Sequence, residues 1–131
     1  MREILFRGKK LLDGVWKSGS LVNVDDECVI IPEYAKYLGG SDFSNGYEVD
    51  PATVGQYTGL TDKNGQRIFE GDIANFKTTL YLFERCAVEY FESDARFIVK
   101  INGRGFPMTS EFEYEVIGNI HDNPELLEVV G

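Results

Sequence analysis

The sequence predicts an all-β fold, a barrel or a sandwich, on three observations. Short β-branched and aromatic runs recur along the chain, Asn-Gly and Asp-Gly pairs punctuate them, and helix-compatible segments are few and brief. With 131 residues, 43% hydrophobic and 13% aromatic, the chain fits one domain and is too apolar to stay disordered.

Taken in order, Glu3-Ile4-Leu5-Phe6-Arg7 and Gly14-Val15-Trp16-Lys17 read as strands flanking a turn, and Val29-Ile30-Ile31 as a third short strand. Pro32 to Gly39 begins with Pro and ends with Gly, which suits one or two helical turns. Gln66-Arg67-Ile68-Phe69-Glu70 and Cys86-Ala87-Val88-Glu89-Tyr90 are strand-like. Arg96 to Ile101 places Phe97, Val99 and Ile101 on one side, while Glu111 to Val116 alternates acid and apolar without a break. Asn123-Pro124-Glu125 offers a cap, a first-turn Pro and an acid, so residues 124–128 are expected to form a short helix or turn. Asn45-Gly46, Asn64-Gly65 and Asn102-Gly103 suit tight hairpin turns, and Asp13-Gly14 is a fourth candidate.

Composition removes several chemistries. The net charge of −9 excludes a general, sequence-blind grip on nucleic acid or anionic lipid. Two distant cysteines, Cys28 and Cys86, make neither a disulfide scaffold nor a zinc site. Cys86 lies in an apolar run and reads as a buried thiol. The single histidine, His121, rules out a two-His metal site within one chain and reads as a turn residue. No secretory h-region and no run near the ~20 apolar residues of a membrane span are visible, so a cytoplasmic protein without membrane contact is expected.

Charge is uneven along the chain. Residues 1–48 carry six bases and eight acids, residues 49–131 seven bases and fourteen acids, and the segment from Glu111 onward six acids and no base. A solvated, aggregation-resistant edge is the favoured account of that last run, and an acidic docking face or DNA-mimicking surface is the alternative.

Asp62-Lys63-Asn64-Gly65-Gln66 begins like a calcium loop, but its glycine is misplaced and position twelve is Ile73, so a hairpin turn is favoured. Gly103-Arg104-Gly105 lacks the third glycine, the Lys and the following helix of a phosphate loop, and reads as a strand connection. In Glu70-Gly71-Asp72-Ile73 the glycine permits a sharp bend and the Asp can accept nearby backbone N–H groups, as at the entry of small SH3-like barrels. Asp62, Glu70 and Asp72 could instead form a carboxylate cluster for a divalent cation or acid/base work. Phe76, Tyr81, Phe83, Tyr90, Phe91 and Phe97 could stack bases, but interleaved acids favour a core or a protein interface.

The stretch Val49-Asp50-Pro51-Ala52-Thr53-Val54-Gly55-Gln56-Tyr57-Thr58-Gly59-Leu60-Thr61-Asp62-Lys63-Asn64-Gly65 resembles the signature of the YopX family. So do its continuation Arg67-Ile68-Phe69-Glu70-Gly71-Asp72-Ile73, the ending Glu115 to Leu127, and the start Arg2 to Lys9 with Gly14-Val15-Trp16. The resemblance implies a bacteriophage or prophage protein with an SH3-like roll, and it carries over no catalytic residues.

Together these readings predict an N-terminal β-hairpin region, 1–48, packed on an SH3-like barrel, 49–131, with a C-terminal tail. Phe6, Trp16, Ile30, Val54, Ile68, Ile73, Val88, Phe97, Val99, Val116 and Ile117 are its expected core. No catalytic, cofactor-binding or metal residues are expected, and no cofactor. The favoured function is a non-catalytic phage accessory module that binds a host or phage protein. The alternatives are a nucleic-acid-associated factor acting through Arg2, Arg7, Lys9 and Lys10, a DNA mimic, and, last, a two-carboxylate hydrolase. The apolar run Leu80-Tyr81-Leu82-Phe83 implies burial on both faces, under a folded-over loop or at a homo-oligomer contact.

Overall fold

The computed structural model describes residues 3–33 and 46–128. The strand-forming runs are realised there as β1 (Phe6–Lys9), β2 (Trp16–Val24), β3 (Glu27–Pro32), β4 (Tyr47–Val49), β5 (Gly55–Thr61) and β6 (Arg67–Phe69). Further along come β7 (Asp72–Lys77), β8 (Leu82–Phe91), β9 (Arg96–Ile101), β10 (Arg104–Pro107) and β11 (Glu113–Asn119). All the strand pairings described are antiparallel, and the chain is all-β as expected. The helical turn expected from Pro32 to Gly39 lies outside the described residues beyond Glu33, as does Asn45 of the first Asn-Gly pair.

Two compact units divide the chain, Met1–Tyr57 and Thr58–Gly131. The first contains the strand order β4-β3-β2-β1 followed by the start of β5. Segment 49–57 belongs with this unit because its hydrogen bonds return to β1: Asp50 N–H donates to the Lys9 carbonyl (2.8 Å) and Lys9 N–H to the Thr53 hydroxyl (2.9 Å). Ile30 and Val49 are fully buried here.

β5 runs on into the second unit, where β6 lies beside it and the sheet order is β10-β9-β8-β7-β11. Both sheets have open-ended strand orders, so the structure gives two antiparallel sheets rather than the closed SH3-like barrel expected over 49–131. Closure requires a long-range register that composition does not encode. The core of this unit is Ile68, Phe76, Cys86, Val88, Val99 and Tyr114, flanked by half-buried Phe83, Phe106, Phe112 and Val116. Asn102 and Gly103, at φ +50° and +78°, make the tight β9–β10 turn that their types favour. A 3-10 turn, Pro124–Leu127, ends the described chain as expected.

Of the expected core, Ile30, Ile68, Ile73, Val88 and Val99 are buried, whereas Phe6, Trp16, Val54, Phe97 and Val116 are half-buried. Ile117 is a correction, being 36% exposed. The β7–β11 register shifts between Val116 and Gly118, so the inward alternation breaks at that bulge. Gly118 permits it by close approach: a Cβ there would lie 2.6 Å from Asn123 Oδ1.

Candidate functional site

Lys77, Thr78 and Thr79 are polar and the next three residues apolar, which hides a hairpin tip inside an irregular composition. β7 and β8 are joined there by a tight loop. Thr78 N–H donates to the Tyr81 carbonyl (2.9 Å), and the Leu80 and Tyr81 N–H groups donate to Thr78 Oγ1 at 3.2 and 3.0 Å. A threonine hydroxyl thus satisfies the donors the turn would leave open. Below the tip, Phe83 stacks on buried Phe76, centroids 4.7 Å apart and rings 13° from parallel, and meets Phe106 at 5.2 Å. Further down, Asn75 Oδ1 accepts the Arg85 N–H (2.9 Å) at a bulge between Ala74 and Phe76.

The finger so fixed holds Leu80, Tyr81 and Leu82 in solvent, at 80%, 64% and 61% exposed. This corrects the expectation that Leu80 to Phe83 is buried on both faces: only Phe83 is covered. Leu80 and Tyr81 lie in the turn, where no sheet imposes a period of two, and only Leu82 and Phe83, at the start of β8, point to opposite faces.

The three carboxylates singled out by sequence do separate work. Asp62 is buried, its Oδ1 accepting N–H groups of Asn64 and Gln66 (both 2.9 Å) and its Oδ2 that of Val116 (3.1 Å). Burial raises its pKa, but the backbone donors Val116, Gln66 and Asn64, with the Lys63 charge, outweigh that and hold the carboxyl below its usual value. Asp72, also buried, accepts the Phe69 N–H at 2.8 Å across the Glu70-Gly71 turn, the use expected of it. Gly71 takes φ +93° there. Glu70 is half-buried. Among the described residues, no group of three or more His, Cys, Asp or Glu is placed to share a metal ion.

His121 sits in the 119–123 turn, its N–H donating to Asn119 Oδ1 (3.0 Å). Gly103-Arg104-Gly105 is hairpin turn and strand. Phe76 and Phe83 are core, and Tyr90 meets Phe97 edge-on at 5.1 Å, so the six aromatics form no common platform. Of the acidic tail, Glu115 pairs with Lys63 at 3.0 Å. A shallow cleft of about 270 Å³ beside that pair is lined by Asn75, Phe76, Lys77, Leu82 and Tyr114.

Arg2 lies outside the described residues. The other basic residues named by sequence come together with two rings that sequence did not connect to them. Arg7 and Lys9 lie 4.6 and 5.8 Å from the Trp16 ring, and Lys10 lies 4.7 Å from that of Tyr47, with Lys17 at 4.9 Å.

Cys86 is buried, and burial pushes its thiol up to about 11. Thiolate chemistry is suppressed there. Alkylation at neutral pH should therefore modify half-buried Cys28 in the native protein and Cys86 only after denaturation, and equal native rates would contradict this.

Among the described residues, no helix is long and apolar enough to cross a membrane. Comparison with curated proteins gives no match. Among solved structures, the chain is similar to the crystal structure of protein EF1440 from Enterococcus faecalis, with 25% identity and a TM-score of 0.58 over 98% of this chain and 100% of that one. The family model described as YopX protein matches residues 6–128, nearly the whole sequence, and the chain belongs to that family.

Proposed function

We propose that the chain is a non-catalytic protein-binding module, an accessory protein of phage or prophage origin. It acts in the cytoplasm by placing the β7–β8 finger in an apolar groove of a host or phage protein. One observation carries the reading: three adjacent large apolar side chains held out in solvent by a loop whose own hydrogen bonds fix its shape. Their exposed surface is on the order of 400 Å², the size of patch that is often functional on a monomer. A fixed loop also loses little conformational freedom on docking.

A second copy is the weaker occupant. Two such tips together would bury on the order of 800 Å², short of the ~1,200 Å² at which stable interfaces begin. Catalysis has little support from Asp62, whose oxygens are both engaged by backbone donors and whose pKa is lowered. A two-carboxylate hydrolase needs one acid raised.

A photo-crosslinking amino acid at position 80, in cells carrying the parent phage or prophage, tests the reading. One discrete heterologous adduct is expected, and none when the crosslinker replaces Leu12, which is 89% exposed in the other unit. Leu80→Ser with Leu82→Ser should abolish capture while changing stability by less than about 0.5 kcal/mol, as exposed positions do. An adduct of two copies of this chain, or equal labelling from positions 80 and 12, would overturn the proposal. Phe83 is left intact because it belongs to the core.

A further inference from the structure

We propose that the free edge of β10 is a second docking site, which takes an extended peptide as an added strand and seats one of its apolar side chains in the adjoining pocket. The site lies within the Thr58–Gly131 unit and does not rest on the β7–β8 finger. β10 is the last strand of its sheet and pairs with β9. Met108 N–H donates to the Phe97 carbonyl at 3.2 Å, in register with that pairing. Antiparallel bonding alternates, so Arg104 and Phe106 bond to β9 while Gly105 turns its N–H and carbonyl outward. Pro107, next in the same phase, offers a carbonyl and no N–H. Both residues are exposed, so the edge is open to solvent.

Gly105 pairs with Lys100 and Pro107 with Ile98, which sets these four residues on the face opposite core-facing Val99 and Phe106. There Phe91, Ile98 and Pro107 line a pocket of about 300 Å³ that reaches the strand edge at Gly105. The glycine opens it from the side. Its φ is not in the left-handed region, so the backbone does not call for glycine, but a Cβ there would lie 2.8 Å from Ile98 Cδ1. A residue paired with Gly105 across the edge therefore lays its side chain directly onto Ile98. The charges of the pocket answer one another, Asp94 with Arg96 at 3.3 Å and Glu89 with Lys100 at 3.8 Å. The rim is thus neutral and complements an uncharged side chain. Main-chain bonds at an open edge, beside a pocket for alternate side chains, are how sheets recognise extended peptides. Pro107 keeps the added ladder short, which guards the edge against open-ended pairing. A second copy fits less well. Two β10 edges about a two-fold axis share one full ladder pair, Gly105 with Gly105, and four-residue strands bury far less than the ~1,200 Å² at which stable interfaces begin.

The probe is a random octapeptide library selected on the immobilised full chain. Enriched peptides should carry one large apolar residue among β-branched ones, and titrating one of them should shift the Gly105 amide in NMR spectra. Gly105→Pro removes the outward N–H without touching the β9 ladder, and its Cβ closes the gap onto Ile98. Binding should then fall at least about tenfold, the loss of one hydrogen bond with part of the packing, with folding checked by circular dichroism. Phe91→Ala, which trims the exposed wall of the pocket, should weaken binding less. Pro107→Thr adds an outward donor and should tighten it. Leu80→Ser with Leu82→Ser should leave it unchanged, which separates this site from the finger. The proposal is overturned if no peptide enriches above background, if binding is the same in Gly105→Pro and Pro107→Thr as in the natural chain, or if the finger pair abolishes it. A dimer in light scattering that Gly105→Pro dissociates would overturn it too, by assigning the edge to a second copy.

Discussion

Phe76→Ala is expected to cost about 4 kcal/mol, the middle of the range for emptying a buried aromatic site. Phe76 is 1% exposed and is the hub of its core, with Phe83 at 4.7 Å, Phe106 and Phe112 at 5.9 Å, and Tyr114 at 6.1 Å. Its neighbours come from β8, β10, β11 and the segment before β11, so no single element can move in to close the cavity. For a chain of this size, the loss corresponds to a fall in melting temperature of roughly 10–20 °C. Urea unfolding followed by near-ultraviolet circular dichroism measures it. Phe76→Leu should cost well under half as much, since volume is largely kept. Phe91→Ala, at a position 44% exposed, should have little effect. Equal losses from Phe76→Ala and Phe91→Ala would contradict this account of the core. Because Phe83 stacks on Phe76, loss of the ring also loosens the base of the finger, and capture through Leu80 should weaken in Phe76→Ala.

The strands legible in sequence were those with one wet face. Arg96 to Ile101, rich in β-branched and aromatic residues, forms β9, and Glu111 to Val116, where acid alternates with apolar residues, largely coincides with β11. Only the second half of β8, Cys86 to Tyr90, carries a strand pattern in sequence. Leu82 is exposed, Phe83 covered, and Arg85 sits at φ +54° in a bulge, so its first half has no clean period. Three-residue β4 is too short to carry a period, and its place is set by pairing Val49 with Cys28 and Tyr47 with Ile30. Arg7, Lys9 and Lys10 are visible in sequence as a positive start to the chain, but Tyr47 reaches Lys10 only through folding, from more than 30 residues further along. Asp62, Glu70 and Asp72 are neighbours in sequence, yet Asp62 also holds Val116, 54 residues away.

That distant contact makes Asp62→Ala the second large effect, with an expected cost of about 3 kcal/mol at neutral pH. The carboxylate accepts three backbone N–H groups, and bonds to a charged acceptor contribute about 1.5–3 kcal/mol each where water cannot replace them. Asn64 and Gln66 lie in an exposed turn where water can substitute, so most of the loss falls on Val116. Lys63 N–H also donates to the Tyr114 carbonyl at 2.8 Å, so the turn lies along β11 and occupies part of its edge. Without the Asp, that edge is released for pairing with another chain, and aggregation on heating should increase. Asp62→Asn should be intermediate: the amide oxygen can serve one side, but its NH₂ then faces a backbone donor. The folded carboxyl titrates below its ordinary value of 3.8. It is therefore ionised in both states above that value, and its contribution is full there. As pH falls from 3.8 through the lower folded value, the native state must take up the proton and the contribution is lost. The stability gap between the natural chain and Asp62→Ala, measured by urea unfolding at a series of pH values, should stay constant above about pH 5 and shrink below pH 3.8. A gap under about 1 kcal/mol at pH 7, or one unchanged in acid, would show that the turn does not depend on the charge of Asp62.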